Sequence, residues 1–290
     1  MMAEHVQTKT EIREVLAGLG IGPQKRFGQH FLIDGNLMRR LAASAELHAG
    51  DAVLEVGCGT GGLTDLLVGA ARAVVGVEID RALAAWLRGR FAERPNFRLI
   101  EGDVLRRKSS LSAEVIEAVT EAAGGGRAVL VANLPYNVAT PVLMNLLHEL
   151  PVVRRFCFTV QSDVADRIEA SAGSKAYGPL SVALQALTDI RRVARVPASA
   201  FWPAPQVESA MLRLDLGEHS LGGPEQIARL LTFLRDAFHH RRKTLRFNLG
   251  RILAEAQLAA AEERIDLTRR PETLSVEEWT DLAQRTVLPA

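Results

Sequence analysis

From Asp51 onward, short runs rich in Val, Leu, Ile and Ala recur, with amphipathic helix-like stretches such as DRALAAWLRGRF between the early ones. The first four runs are Ala52–Val56, Ala73–Ile79, Phe97–Gly102 and Ala128–Ala132; Arg155–Gln161, Ile190–Val196 and Ser209–Asp215 follow. A strand that is apolar on both faces has to be covered on both faces. A chain that alternates such strands with helices achieves this in a parallel sheet sandwiched between helices. The pattern predicts a Rossmann-like α/β domain over residues 1–217 with a seven-stranded, mostly parallel sheet. Lys108–Gly126 reads as a helical insertion ending in three glycines. After Asp215 the patterning changes. LGEHSLGGP carries Gly, Pro and Ser, and from Pro224 only helical periodicity remains, so residues 218–290 are expected to form a small helical domain. Ser275 and Glu278 have the spacing of a capping box for its last helix.

The length of 290 residues accommodates two domains of this kind. The net charge of +1 excludes a polycation, so any nucleic-acid surface has to be a local patch. The two cysteines, Cys58 and Cys157, fit no Cys/His metal spacing, and no metal site is expected. Sparse cysteine and a polar, helix-like N-terminal stretch, MMAEHVQTKTEIREVL, point to the reducing cytoplasm. No apolar run is long enough to span a bilayer, and no long apolar patch demands a dimer, so a monomer is expected.

LEVGCGTGGLT joins the first strand to the next helix. Gly57, Gly59 and Gly61 let the backbone turn tightly and approach a ligand closely. Gly57, Gly59 and Gly62 also satisfy a dinucleotide fingerprint, so the loop alone leaves the cofactor open. Glu78 ends the second strand, the usual place for a carboxylate that grips ribose hydroxyls. Glu55, just before the glycines, would repel a pyrophosphate but suits the cationic amino-acid end of S-adenosylmethionine. Asp103, at the end of the third strand, suits an adenine amino group. Carboxylates at three successive strand ends therefore favour S-adenosylmethionine over a nicotinamide cofactor.

The fourth strand leaves through NLPYNVATP. The N6 nitrogen of adenine is a poor nucleophile because its lone pair is delocalised into the ring. The amide oxygen of Asn133 and the backbone carbonyl of Leu134, stiffened by Pro135, could accept hydrogen bonds from both N–H groups and free that lone pair. Tyr136 offers a stacking face for a base drawn out of its helix. Transfer from a sulfonium needs no metal, and positioning carries much of the rate. In isolation these four residues read better as a strand-terminating turn; their place downstream of the glycine loop favours chemistry. In SAFWPAP, Phe201 is expected to stack on the same base opposite Tyr136, a core aromatic beside a Pro turn being the other reading.

This ordered series resembles the KsgA/RsmA family of rRNA adenine N6,N6-dimethyltransferases. The likeness runs through KRFGQHFLID, VLEVGCGTGGLT, VEID, GDVL, NLPYNVATPVL, DVADRI, GSKAYGPLSV, VPASAFWPAPQVESAMLRL, RRKTLRFNL and RPETLSVEEW, nearly the whole chain. It implies a class I methyltransferase fold with S-adenosylmethionine contacts at His30, Leu32, Gly57, Glu78, Asp103 and Asn133. It implies a target-base pocket of Asn133, Leu134, Pro135 and Tyr136. It also implies dimethylation of two neighbouring adenosines near the 3′ end of small-subunit rRNA during assembly of a small ribosomal subunit. With this resemblance, FHHRRKTLRFN is expected to contact RNA through Arg241, Arg242, Lys243 and Arg246. Lys25, Arg26, Arg39 and Arg40 form a second basic cluster, and Arg191–Arg195 a third that strand alternation would split between faces. Two alternatives stay open: an Erm-type large-subunit rRNA methyltransferase conferring macrolide resistance, and a non-catalytic ribosome-assembly factor on the same fold.

Overall fold

The computed structural model describes residues 7–217 and 223–288. Residues 1–6 of the N-terminal stretch and most of the Gly/Pro/Ser boundary segment lie outside the described residues. The seven expected strands form one sheet: β1 Ala52–Val56, β2 Ala73–Glu78, β3 Phe97–Glu101, β4 Ala128–Asn133, β5 Val153–Gln161, β6 Thr188–Val196 and β7 Ser209–Leu216. Their order across the sheet is β3-β2-β1-β4-β5-β7-β6. β1 runs parallel to β2 and β4, β2 to β3, and β4 to β5. β7 is antiparallel to β5. All five residues of β1 are buried, as expected of a central strand covered on both faces.

The helices start where their caps dictate. Asp80 accepts hydrogen bonds from the N–H groups of Ala82 and Leu83, opening the helix Arg81–Arg90, whose buried side is Leu83, Ala84 and Leu87. Asp34 caps Gly35–Ser44 in the same way, burying Met38 and Leu41. Thr8 and Glu11 form a capping box at Lys9–Gly18. The expected insertion is a helix, Ala113–Ala123, preceded by a small ribbon of Leu105–Arg107 and Ser110–Leu111. The ribbon has too few residues for its alternation to stand out in the sequence.

The chain divides into two compact units. The first runs up to Ser162 and takes in Arg191–Asp215, so it holds most of the sheet. The second combines Asp163–Ile190 with residues from Leu216 onward. Residues 163–190, expected in the first domain, thus belong to the second, because they supply part of its core. Tyr177 meets Phe238 edge-on at 6.3 Å, and Phe238 and Phe233 lie 4.9 and 6.0 Å from Trp279. Trp279 and Tyr177 are fully buried. Ser275 and Glu278 form the capping box of the last helix, Val276–Thr286.

Candidate active site

A cleft opens at the carboxyl ends of β1, β2 and β4 in the first unit. Its place follows the rule that open α/β sheets bind beyond their strand ends. Its floor is the glycine loop. Gly57, Gly59 and Gly61 have φ of +80°, +59° and +90°, a region that side-chain-bearing residues adopt only with strain. A Cβ on Gly57 would sit 3.3 Å from Pro135 Cγ, and one on Gly59 3.1 Å from the Phe31 ring. The loop is therefore pressed against both NLPY and the ribbon Phe31–Leu32.

Glu78 ends β2 with its carboxylate fixed by two backbone donors. The Gly59 N–H donates to Oε2 at 2.8 Å and the Asp80 N–H to Oε1 at 2.9 Å. Each oxygen keeps a lone pair for a hydroxyl partner. Glu55 is buried and receives the Thr64 hydroxyl at 2.7 Å. Burial, reinforced by the charge of Glu78, pushes its carboxyl up to about 8. That shift favours the protonated form of Glu55, and a cation beside it would draw the proton off.

Asn133 ends β4 and its side chain is held at both ends. Nδ2 donates to the His30 carbonyl at 2.8 Å, and Oδ1 accepts the hydroxyl of Thr159. Thr159 is fully buried and sits opposite Asn133 in the β4–β5 register. This double contact fixes which way the amide faces and leaves one lone pair of Oδ1 free. Leu134 is buried, and its carbonyl accepts no hydrogen bond from the described residues. The Tyr136 hydroxyl pairs with Ser209 Oγ at 2.8 Å. His30 stacks on the Tyr136 ring at 5.3 Å and 27°, with Nδ1 donating to the Pro203 carbonyl at 2.6 Å.

The cleft brings together His30, Leu32, Glu55, Gly57, Gly59, Glu78, Asn133, Leu134, Pro135 and Tyr136, all expected there. Three expected residues do not line it. Gly61 caps the helix Gly62–Ala70, and its Cα packs on Phe91, where an added Cβ would come within 2.8 Å. Asp103 is exposed, with Oδ1 accepting the Leu105 N–H at 2.9 Å; it shapes the turn into the small ribbon. Phe201 is 2% exposed in the core cluster with Leu32, Met38 and Val196. Alternation along its ribbon explains this correction: Phe201 pairs with Leu32, while its neighbour Trp202 pairs with Phe31. The core-aromatic reading of Phe201 is the one the fold adopts.

Thr159 and Gln7 are additions that the sequence does not announce. Thr159 lies inside an apolar strand, and only strand pairing reveals its partner. Gln7 lines the cleft and accepts the Thr60 hydroxyl at 2.6 Å, from a stretch that reads only as polar helix. In the second unit, Arg241, Arg242 and Lys243 are exposed. Arg246 is also exposed, and it is ion-paired with Glu262. Of the second basic cluster, Arg39 donates to Asn36 and Arg40 to the Val193 carbonyl. Among the described residues, no group of three or more His, Cys, Asp or Glu could hold a metal, and no helix is long and apolar enough to cross a membrane.

Comparison with known proteins gives a consistent picture. A family model described as "Ribosomal RNA adenine dimethylase" matches residues 23–287. The ribosomal RNA small subunit methyltransferase A of Streptomyces griseus is 40% identical over 284 residues, covering 94% of this chain and 93% of the relative. A dimethyladenosine transferase of Plasmodium falciparum superposes with a TM-score of 0.66 at 21% identity, over 87% of this chain and 96% of the other. The 23S rRNA methyltransferase ErmE superposes with a TM-score of 0.64 at 24% identity, over 88% and 98%. These two structures share the fold.

Proposed function

The chain belongs to the ribosomal RNA adenine dimethylase family, and from that premise we propose that it dimethylates N6 of two adjacent adenosines near the 3′ end of small-subunit rRNA. The substrate is a partly assembled small ribosomal subunit, met by a monomer in the cytoplasm, and the modification is a step of subunit biogenesis. The single observation that carries this reading is Asn133. A buried hydroxyl and a backbone carbonyl hold its amide so that Oδ1 keeps a free lone pair, with the Leu134 carbonyl beside it.

The residues of the cleft fit S-adenosylmethionine. The Glu78 carboxylate is oriented by two N–H groups and has acceptor capacity for ribose hydroxyls. Glu55 provides a buried carboxyl that ionises next to a cationic amino group. Gly57 and Gly59 of the loop line the same cleft. When bound, S-adenosylmethionine supplies an electrophilic methyl group on a sulfonium. Asn133 Oδ1 and the Leu134 carbonyl accept the two N6 hydrogens of the base and so raise the electron density on nitrogen. Tyr136, tied to Ser209 and backed by His30, presents its other face to the adenine ring. The proton of N6 becomes acidic only as the new bond forms, so no strong base is required beforehand.

Relatives named for the small subunit, 34–40% identical over nearly the whole length, favour this substrate over the large subunit. The likeness to ErmE is one of fold. The intact Asn133 geometry favours an enzyme over a non-catalytic assembly factor. Labelled methyl transfer to protein-free small-subunit rRNA, to partly assembled subunits and to finished, unmethylated subunits tests the assembly state. Label confined to partly assembled subunits is expected; equal label on protein-free RNA would remove that part of the proposal.

A further inference from the structure

The basic segment of the second unit carries charge, and next to it stands a side chain that charge does not explain. The short helix Leu245–Leu249 buries Leu245, Asn248 and Leu249. Phe247, on its other side, is 42% exposed. The loop before it is tied down by Asn248, whose Nδ2 donates to the carbonyls of His240 and Thr244 and whose Oδ1 accepts the His240 N–H. On that fixed loop a chain of rings forms. His240 meets Phe247 edge-on at 5.4 Å and 76°, and His239 meets His240 at 4.6 Å and 86°. Lys243 Nζ and Arg251 Cζ each lie 5.7 Å from the centre of the Phe247 ring.

Lys243, Phe247 and Arg251 are all exposed. An exposed phenyl ring forgoes the burial that stabilises aromatic residues elsewhere. Arg242, Lys243 and Arg251 have no carboxylate partner among the described residues, whereas Arg246 close by has Glu262. Like charges held together without counter-charges repel one another. A polyanion with flat faces removes both deficits at once: its phosphates neutralise the cations, and a base covers the ring. Both cations sit near the outer limit of a cation–π contact, about 6 Å, so neither seals the ring.

We infer that Phe247, with Lys243 and Arg251, forms a stacking site for an unpaired RNA base, a second RNA contact besides the target-base pocket. The inference rests on the proposal that RNA is the substrate. The ligand class is single-stranded RNA, because a ring can stack only on a base that is free of its helix.

The test uses the full chain and a fluorescein-labelled single-stranded oligoadenylate, with an RNA duplex of equal length as control, titrated by anisotropy over a salt series. Phe247→Leu should weaken single-strand binding by about tenfold, leave duplex binding unchanged and keep the salt slope of the wild type. Phe247→Trp should bind at least as tightly as the wild type. Lys243→Ala with Arg251→Ala should lower the salt slope by roughly one to two. The ring is exposed, so thermal melting of the Phe247 variants should match the wild type and show that they fold. Equal affinities for wild type and Phe247→Leu, or equal losses on strand and duplex, would overturn the stacking site. With Phe247→Leu silent, weaker binding in the cation variant would leave RNA recognition by charge intact. If neither variant changes RNA affinity, the patch faces another partner, such as an acidic protein, and the inference falls.

Discussion

At the level of single residues, the proposed chemistry depends on an amide held from both sides. Thr159 donates to Asn133 Oδ1 from a position that is fully buried. Thr159→Val keeps the shape and removes the hydroxyl, so the amide loses what fixes its orientation. Turnover should fall by about ten- to a hundredfold, the scale of effect a small misplacement produces, with KM for S-adenosylmethionine little changed. Thr159→Ser should restore turnover; a Val variant with wild-type turnover would show that the hydroxyl positions nothing. Glu55 provides a separate prediction through pH. Its ordinary value of 4.5 is raised by burial to about 8 in the folded chain. Between these values the folded state binds a proton that the unfolded chain has released, so the stability this group confers is complete below 4.5 and is lost as pH rises through 8. Without bound cofactor, the wild type should therefore lose ground to Glu55→Gln as pH rises from about 5 to 9, by about 3 °C or more in Tm. A constant difference across that range would mean Glu55 is already ionised.

At the level of elements, the turn from β1 into the helix Gly62–Ala70 is held by sterics. Gly61 has φ +90°, and a Cβ there would meet Phe91 at 2.8 Å and Leu87 at 3.1 Å. Gly61→Ala combines left-handed strain with overpacking and should cost about 2–4 kcal/mol in urea unfolding; a loss under about 1 kcal/mol would show that the loop can relax. The strands were legible because β1, β2 and β4 are apolar up to the polar residue at or near each carboxyl end, and Ser275 with Glu278 announced the last helix by its capping box. Side-chain direction was less legible. Phe201 and Trp202 are adjacent aromatics in a two-residue ribbon, and which of them enters the core is set by pairing with Phe31 and Leu32. Asp103 shares its local pattern with the other strand-end carboxylates, yet a turn beyond β3 claims one of its oxygens. Thr159 could not be singled out, because its meaning lies in a partner on the neighbouring strand.

At the level of the whole molecule, the cleft and the exposed basic segment lie in different units of one chain. The cleft belongs to the first unit, and the exposed cations Arg241, Arg242 and Lys243 belong to the second. The domain boundary was obscured in sequence because Asp163–Ile190 precedes the last two strands yet lends Tyr177 to the helical core. Replacing Arg241, Arg242 and Lys243 together with Ala should weaken RNA binding and lower its salt slope by up to about three, one for each phosphate no longer neutralised. Calorimetry should find S-adenosylmethionine binding unaltered. Unchanged RNA affinity and slope would remove the basic segment from the RNA surface.

The role given to Asn133 is tested most directly by comparing wild type and Asn133→Ala in methyl transfer from labelled S-adenosylmethionine to partly assembled, unmethylated small ribosomal subunits, with the product nucleoside identified by mass. The expected product is N6,N6-dimethyladenosine near the 3′ end of the small-subunit rRNA. The variant should lose rate on the order of a hundredfold or more with cofactor still bound. Label on large-subunit RNA alone, or full activity without the Asn133 amide, would refute the proposed reaction and its site.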